Sequence, residues 1–314
     1  MPRRGSGATV RWDGATSVQR LLLQLDGDRQ PSVFDAIVAC DAGAEQLLRH
    51  GGVSAGDVRA LVHGAIFTRG PKELANTAIF IGGSDVAAAE RMLEEARAAF
   101  FGPFRTSVML DPNGCNTTAA AAVLKLLRAA GGAVSGKQAV VLAGTGPVGS
   151  RAAGLLLRLG ARVRITSRER AHGEEAAAAI GKRFGSAPEV AVASEARAVE
   201  AALEGAQLLL AAGPAGVELA PRAAWAGRPG LLCAADVNAV PPVGLAGIEP
   251  PDNGAQQDGV VVIGALGIGA LKMKVHKACI ARLFERSDQV LDAETIFDLA
   301  AALDAARATT TPGH

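Results

Sequence analysis

Val140-Val141-Leu142-Ala143-Gly144-Thr145-Gly146-Pro147-Val148-Gly149 is the stretch on which the fold turns. An apolar run of strand length enters a Gly-x-Gly-x-x-Gly turn, and Gly149 to Leu159 continues with helical spacing. Gly144 allows the tight turn, Gly146 lets backbone approach a pyrophosphate with no Cβ in the way, and Gly149 lets the helix lie close on the strand. Thr145, Pro147 and Val148 complete the turn, and the free N–H groups at the helix start favour an anion. The flanking strand and helix separate this reading from its rival, a glycine-rich turn that binds nothing. A dinucleotide-binding Rossmann unit is predicted.

The end of the following strand selects the cofactor. An NAD-binding unit carries Asp or Glu roughly 20 residues on, to hold the ribose 2′-hydroxyl; this chain has Thr166-Ser167-Arg168. Ser167 can donate to a 2′-phosphate, and Arg168 can pair with it and stack on adenine, so NADP is favoured. With no carboxylate at that corner, use of NAD as well stays open. A solvated loop residue is the competing reading of Arg168.

Outward from this unit, strand and helix alternate in both directions. Arg162 to Thr166, Val190 to Ala193, Gln207 to Ala211, Leu231 to Ala235 and Val260 to Ile263 are unbroken apolar runs, as a parallel sheet covered on both faces requires. Upstream, Leu21 to Leu25, Thr77 to Ile81 and Thr106 to Leu110 read as strands, with helices capped at Ser32 and Ser84 and another over Thr117 to Leu127. The 314 residues exceed one ordinary core at roughly 150 residues per domain. The expected class is therefore α/β with two domains: a flexible extension over 1–17, an N-terminal α/β substrate domain over 18–132, a Rossmann domain over 133–268, and C-terminal helices over 269–314 that return toward the first domain. The cleft between domains is the expected active site.

Composition narrows the function. Lys plus Arg of 32 against Asp plus Glu of 31 gives no electrostatic reason to expect nucleic acid as partner. No apolar run approaches the ~18 residues of a membrane helix, and no apolar segment follows the basic start Met1 to Arg4, so a cytoplasmic protein with no membrane partner is expected. Cys40, Cys115, Cys233 and Cys279 stand far apart in apolar surroundings and read as reduced, buried thiols. The 5 histidines have no metal-ligand spacing, and no metal is expected. Tyrosine is absent, which excludes every mechanism that needs a Tyr general acid.

Several peptides add a resemblance: Pro31 to Asp35, Phe67-Thr68-Arg69-Gly70, Ala78 to Gly83, Phe101 to Arg105, Asp111 to Thr118, Val140 to Gly149, Asp236 to Pro242, and Gly264 to Gly269 followed by Lys272. From about Arg20 to about Ala300 the chain resembles the bacterial NAD(P)-dependent methylene-tetrahydromethanopterin dehydrogenases of one-carbon metabolism. The resemblance implies oxidation of 5,10-methylene-tetrahydromethanopterin to the 5,10-methenyl cation, with the pterin in the interdomain cleft opposite the nicotinamide. It marks Lys272, one turn into a helix after the loop Gly264 to Gly269, and Phe34, whose flat face can stack on a ring. Asp35 can accept from the pterin amino group, and Asn113, Asn116, Thr117 and Thr118 can hydrogen-bond the ring edges. Arg69 can meet the substrate's anionic tail. Ala212, Asn238 and Gly267 are expected near the nicotinamide.

Each of these residues also has a plainer reading: a core phenylalanine, a solvated lysine or carboxylate, ordinary turn and cap residues, a glycine needed only for chain reversal. His63 and His276 read as satisfied surface or core histidines. The chemistry fits a chain without an acid/base pair. A hydride leaves an N–CH2–N carbon, the cation left behind is an amidinium stabilised by its own nitrogens, and no proton need be abstracted. Holding donor and acceptor together in a water-poor cleft is then the main task. Two further readings stay open: an NADP enzyme of the same architecture acting on methylene-tetrahydrofolate or another substrate, and a non-catalytic NADP sensor. Alanine-rich helices and the family resemblance both point to a homo-oligomer, a trimer or hexamer.

Overall fold

The computed structural model describes residues 18–310, with side chains through residue 306, and the expected extension over 1–17 lies outside the described residues. The chain begins β1 (Leu21–Asp26), α1 (Val33–Asp41), β2 (Gln46–His50), α2 (Ala55–Ile66), β3 (Thr77–Gly82), α3 (Val86–Ala98), β4 (Ser107–Leu110) and α4 (Cys115–Ala129). It continues β5 (Gln138–Leu142), α5 (Pro147–Arg158), β6 (Arg162–Ser167), α6 (Arg170–Phe184), β7 (Glu189–Val192), α7 (Ala196–Ala202), β8 (Leu208–Ala211), α8 (Arg222–Trp225) and β9 (Cys233–Asp236). The last elements are β10 (Asn253–Gln257), β11 (Val260–Ile263), α9 (Ala265–Leu283), β12 (Val290–Leu291) and α10 (Ala293–Thr310).

Two sheets result. The first is parallel throughout, in the order β12-β4-β3-β1-β2, and its order reverses between β1 and β3. The second runs β10-β11-β9-β8-β5-β6-β7, parallel except for the antiparallel edge strand β10, and reverses between β5 and β8. At such a reversal the helices that follow the two central strands leave on opposite faces, and a crevice opens at the strands' carboxyl ends. The molecule has one crevice per sheet.

Helix α4 joins the two halves. Ala119, Ala120, Ala121 and Ala122 are fully buried in a core that also takes in Phe80 and Met109 from the first sheet and Val141 and Leu210 from the second. Alanine on all sides lets a helix be approached from every direction with no side-chain entropy lost. Polar ties fix the first sheet's loops. Buried Asp26 accepts from the backbone N–H groups of Asp28 and Ser32, and the Ser32 hydroxyl accepts from Asp35 N to cap α1.

Several expectations need correction. The cap of α3 is Asp85, whose carboxylate accepts from Ala88 N, while Ser84 bonds to Asp28 through both its N–H and its hydroxyl. Gly264 to Gly269 is not a loop: α9 starts at Ala265, so Lys272 stands two turns into the helix. A Cβ at Gly267 would meet Asp252 O at 2.4 Å, which explains the glycine as helix packing. Cys40 is exposed, although the other cysteines are buried.

Candidate functional site

The crevice of the second sheet is a cavity of about 600 Å³ lined by Thr145, Gly146, Pro147 and Val148 after β5, Ser167 and Arg168 after β6, and Ala212 to Ala215 after β8. The glycines are placed as their roles require. A Cβ on Gly144 would stand 2.6 Å from Ile165 Cβ, and one on Gly149 would stand 2.7 Å from Ala143 O. Ala143 itself takes a left-handed φ of 53° to make the corner. Helix α5 starts at Pro147, its cap Gly146 offers no side chain, and the first N–H groups stay free to meet a phosphate. These features fit a dinucleotide. Among the described residues no carboxylate lines this cavity at the end of β6: Arg168 is exposed there, and the Ser167 hydroxyl exchanges hydrogen bonds with Glu169 backbone.

A second cavity, about 320 Å³, occupies the crevice of the first sheet. Asp26 and Asp28 close one side, Gly83 and Ser84 another, and Phe34, Asp35 and Lys272 form a cluster facing Asn113 and Gly114. Lys272 Nζ sits 4.2 Å from the Phe34 ring centroid. Gly114 has φ 62°, and a Cβ there would stand 3.1 Å from Lys272 Nζ. Asn113, exposed and also left-handed, lines this cavity and the nucleotide cavity alike. The two crevices meet at that residue.

Charge in the second cavity is held under tension. Asp35 is mostly buried, and burial is the main reason its carboxyl is pushed up to about 6, against the lowering hydrogen bond from Ser32. His276 beneath it is fully buried and pulled down to about 4, again chiefly by burial. Neither ring nitrogen of His276 has a hydrogen-bond partner among the described residues, so the reading of a satisfied histidine is overturned.

Other expected residues lie elsewhere. Asn116 and Thr117 are fully buried: Asp111 accepts from both backbone N–H groups and the Thr117 hydroxyl, Asn116 Nδ2 donates to Leu110 O, and Asn116 Oδ1 accepts from Arg151. They brace the turn that carries Asn113 and do not line the cavity, while Thr118 is half-buried behind Gly114. Asn238 is buried, with Nδ2 donating to Pro214 O and Pro242 O and Oδ1 accepting from Val240 N. Arg69 sits at the opposite end of the first sheet, donating to Asn76 O and the Thr77 hydroxyl at the start of β3. Asp26, Asp28 and Ser84 were not singled out in the sequence as site residues, Ser84 being read only as a helix cap. Their signal was their place at strand ends, in acidic and small-residue turns that look like ordinary loops.

The bifunctional protein MdtA of Methylorubrum extorquens is 49% identical over 282 residues, which are 90% of this chain and 98% of that protein. The NAD(P)-dependent methylenetetrahydromethanopterin dehydrogenase of the same organism is 34% identical over 303 residues, 91% of this chain and 98% of that one. The chain belongs to the methylene-tetrahydromethanopterin dehydrogenase family. The model of the N-terminal part of methylene-tetrahydromethanopterin dehydrogenase matches residues 33–113, a span that opens beside Phe34 and closes at Asn113. Among solved structures, quinate dehydrogenase from Corynebacterium glutamicum in complex with NAD aligns at a TM-score of 0.47 and 13% identity, over 90% of this chain and 99% of that one. No group of His, Cys, Asp and Glu among the described residues of this dehydrogenase-family member is arranged to hold a metal, and none of its described helices is long and apolar enough to cross a membrane.

Proposed function

We propose that this protein transfers a hydride from 5,10-methylene-tetrahydromethanopterin to NADP, leaving the 5,10-methenyl cation. The observation that supports the reading is Asn113, which lines both the nucleotide cavity and the cavity of Phe34, Asp35 and Lys272, so that ligands filling the two cavities would adjoin. When bound, NADP supplies the nicotinamide C4 that accepts the hydride. Gly144, Thr145, Gly146, Pro147, Val148 and Gly149 hold its pyrophosphate, Arg168 meets the 2′-phosphate beside Ser167, and Ala212 lies along the nicotinamide side. Asn238 and Gly267 shape the neighbouring loops from behind.

On the pterin side, Phe34 offers a face for the ring and Asp35 accepts from its amino and ring N–H groups. Asp35, pushed up to about 6, is ionised at neutral pH and ready for that task. Lys272 must avoid the carbon that becomes cationic, because an ammonium there would raise the barrier by like-charge repulsion. Its Nζ leaves the Phe34 face and donates to an electron-rich ring atom such as the carbonyl oxygen. No side chain moves a proton in this scheme. Rate comes from alignment and from exclusion of water.

The division into 18–132, 133–268 and 269–314, residence in the cytoplasm and assembly as a trimer or hexamer complete the proposal. Exposed Val33, Ile37 and Leu266 supply apolar surface for self-association. The decisive experiment mixes protein, NADP and methylene-tetrahydromethanopterin and follows NADPH absorbance, with methylene-tetrahydrofolate and NAD in parallel arms. NADPH formation with the methanopterin donor is the expected result. No reduction with it rejects the reading, and reduction with the folate donor alone would favour the related folate enzyme.

A further inference from the structure

The first sheet borders a further cavity that neither ligand of the proposed reaction uses. Helix α2 packs on this sheet through buried Val58, Val62 and Ile66, yet it leaves the outer strand β2 largely uncovered. The result is a groove of about 550 Å³ between α2 and β2, within the roughly 300–1,000 Å³ of small-ligand sites. Leu21 and Leu23 of β1, Leu48 of β2 and Leu61 of α2 give it apolar walls. Gly64 lines it from inside α2, and a Cβ there would meet nothing within 4 Å. Glycine is a costly choice inside a helix, and no neighbour demands it here. Its effect is to keep the groove open.

One end of the groove is charged. Arg69 Nη1 donates to Asn76 O at 2.8 Å and to the Thr77 hydroxyl at 2.9 Å, which ties the guanidinium to the start of β3. Its Nε and Nη2 make no hydrogen bond or ion pair among the described residues, and no described carboxylate lines the groove. A guanidinium anchored in this way holds its remaining donors in a fixed fork, the arrangement that receives a carboxylate. His50 marks the other end. Thr77 pairs with Leu21 and His50 with Leu25, so the ends lie four residue steps apart, about 13 Å along the strands. The leucines occupy the interval.

We propose that this groove is a binding site for a medium-chain aliphatic carboxylate, its head on Arg69 and its chain on the leucines beside β2. A chain of about eight carbons runs along the leucines and stops short of His50. The apolar walls reject a sugar or a nucleotide, and the unpaired cation rejects an amine. A docked protein would need a cluster of exposed apolar anchors. Leu48, 48% exposed, is the one large apolar residue of this groove that is exposed. The site stands apart from both crevices, and the proposed reaction does not depend on it.

Isothermal titration of the full chain with octanoate, octanol and octylamine tests the site. Octanoate should bind saturably, one per chain and at least tenfold more tightly than octanol, and octylamine should not bind. In Arg69→Gln, whose amide can still donate to Asn76 O, octanoate should weaken at least tenfold, to the level of octanol. Gly64→Leu, which puts a side chain into the open groove, should abolish binding of both. The Kd for NADP should be the same in all three proteins. Octanoate that fails to bind the wild type at millimolar concentration overturns the proposal, as does undiminished binding to folded Arg69→Gln or to Gly64→Leu. If Arg69→Gln does not fold, Gly64→Leu and the octanol comparison decide. Leu48→Arg should leave the assembly intact by light scattering; loss of subunits would make the groove a contact between copies and overturn the site. None of these readouts involves turnover, so failure here leaves the proposed reaction standing, and absence of turnover leaves this site standing.

Discussion

Asp35 and His276 pull stability in opposite directions as pH changes. Asp35 is raised from 3.8 to about 6, so the stability its protonation contributes is complete below 3.8 and lost as pH rises through 6. His276 is lowered from 6.5 to about 4, so its contribution is complete above 6.5 and lost as pH falls through 4. At about 1.4 kcal/mol per pH unit each shift corresponds to roughly 3 kcal/mol, and across the shared span from about 4 to 6 the two changes offset. Asp35→Asn should therefore gain stability relative to wild type as pH is raised from about 4 to 6, up to about 3 kcal/mol, and keep the gain above 6. Urea unfolding at stepped pH measures it, and a difference that does not change with pH would mean that the carboxylate is solvated. The same variant should lose pterin affinity, so function here is held at a cost in stability. Lys272→Ala should lower kcat/KM for the pterin by about 100-fold through lost alignment, with the Kd for NADP unchanged in a fluorescence titration. Wild-type kcat/KM in that variant would return Lys272 to the role of a solvated lysine.

The corner between β6 and α6 carries the cofactor choice. Because the Ser167 hydroxyl is already engaged with Glu169 backbone, Arg168 is the group left to meet a 2′-phosphate. Arg168→Ala should raise KM for NADP tenfold or more, in line with about 1.5–3 kcal/mol for a charge-assisted hydrogen bond, and leave KM for NAD within about twofold. Equal losses for both cofactors would place the guanidinium on the adenine alone. This corner was legible because its chemistry is local: a strand, a glycine turn and the next strand's end are contiguous in sequence. So were the long apolar runs of the second sheet. Strand β2 escaped notice because Gln46–His50 is an edge strand, more than half of it exposed, with no apolar face to betray it. Strand β12 is only Val290–Leu291, and what makes it a strand is β4, far away in sequence. Asn116 and Thr117 have the residue types of ligands, and only the burial of Asp111 reveals them as its partners. His276 was opaque for the same reason: Asp35 lies at the other end of the chain.

The two halves of the molecule are joined by an ion network that leads to the turn carrying the shared residue of the two cavities. Glu90 on α3 accepts from Arg151 on α5 at 2.6 Å and from Arg183 on α6 at 3.0 Å, and Arg183 also reaches Glu294 on α10 at 2.7 Å. Arg151, only 10% exposed in its side chain, donates as well to Asn116 Oδ1 at 3.0 Å. Asn116 and Asp111 in turn hold the turn from which Asn113 faces both ligands. Two variants separate the brace from the bridge. Glu90→Gln leaves the Arg151–Asn116 bond in place but removes the charge opposite two arginines, so it should lower stability by about 1–3 kcal/mol with both KM values unchanged. Arg151→Met keeps the side chain's bulk but leaves the buried Asn116 Oδ1 with only the weak Cys115 thiol as donor, a comparable loss of about 1–3 kcal/mol. In addition, Arg151→Met should raise KM for NADP and pterin together, because Asn113 loses its support on both sides at once. Calorimetric unfolding gives the first quantity and steady-state kinetics the second. If Arg151→Met unfolds earlier yet keeps both KM values, Asp111 alone holds the turn, and the network joins the two halves without reaching the site.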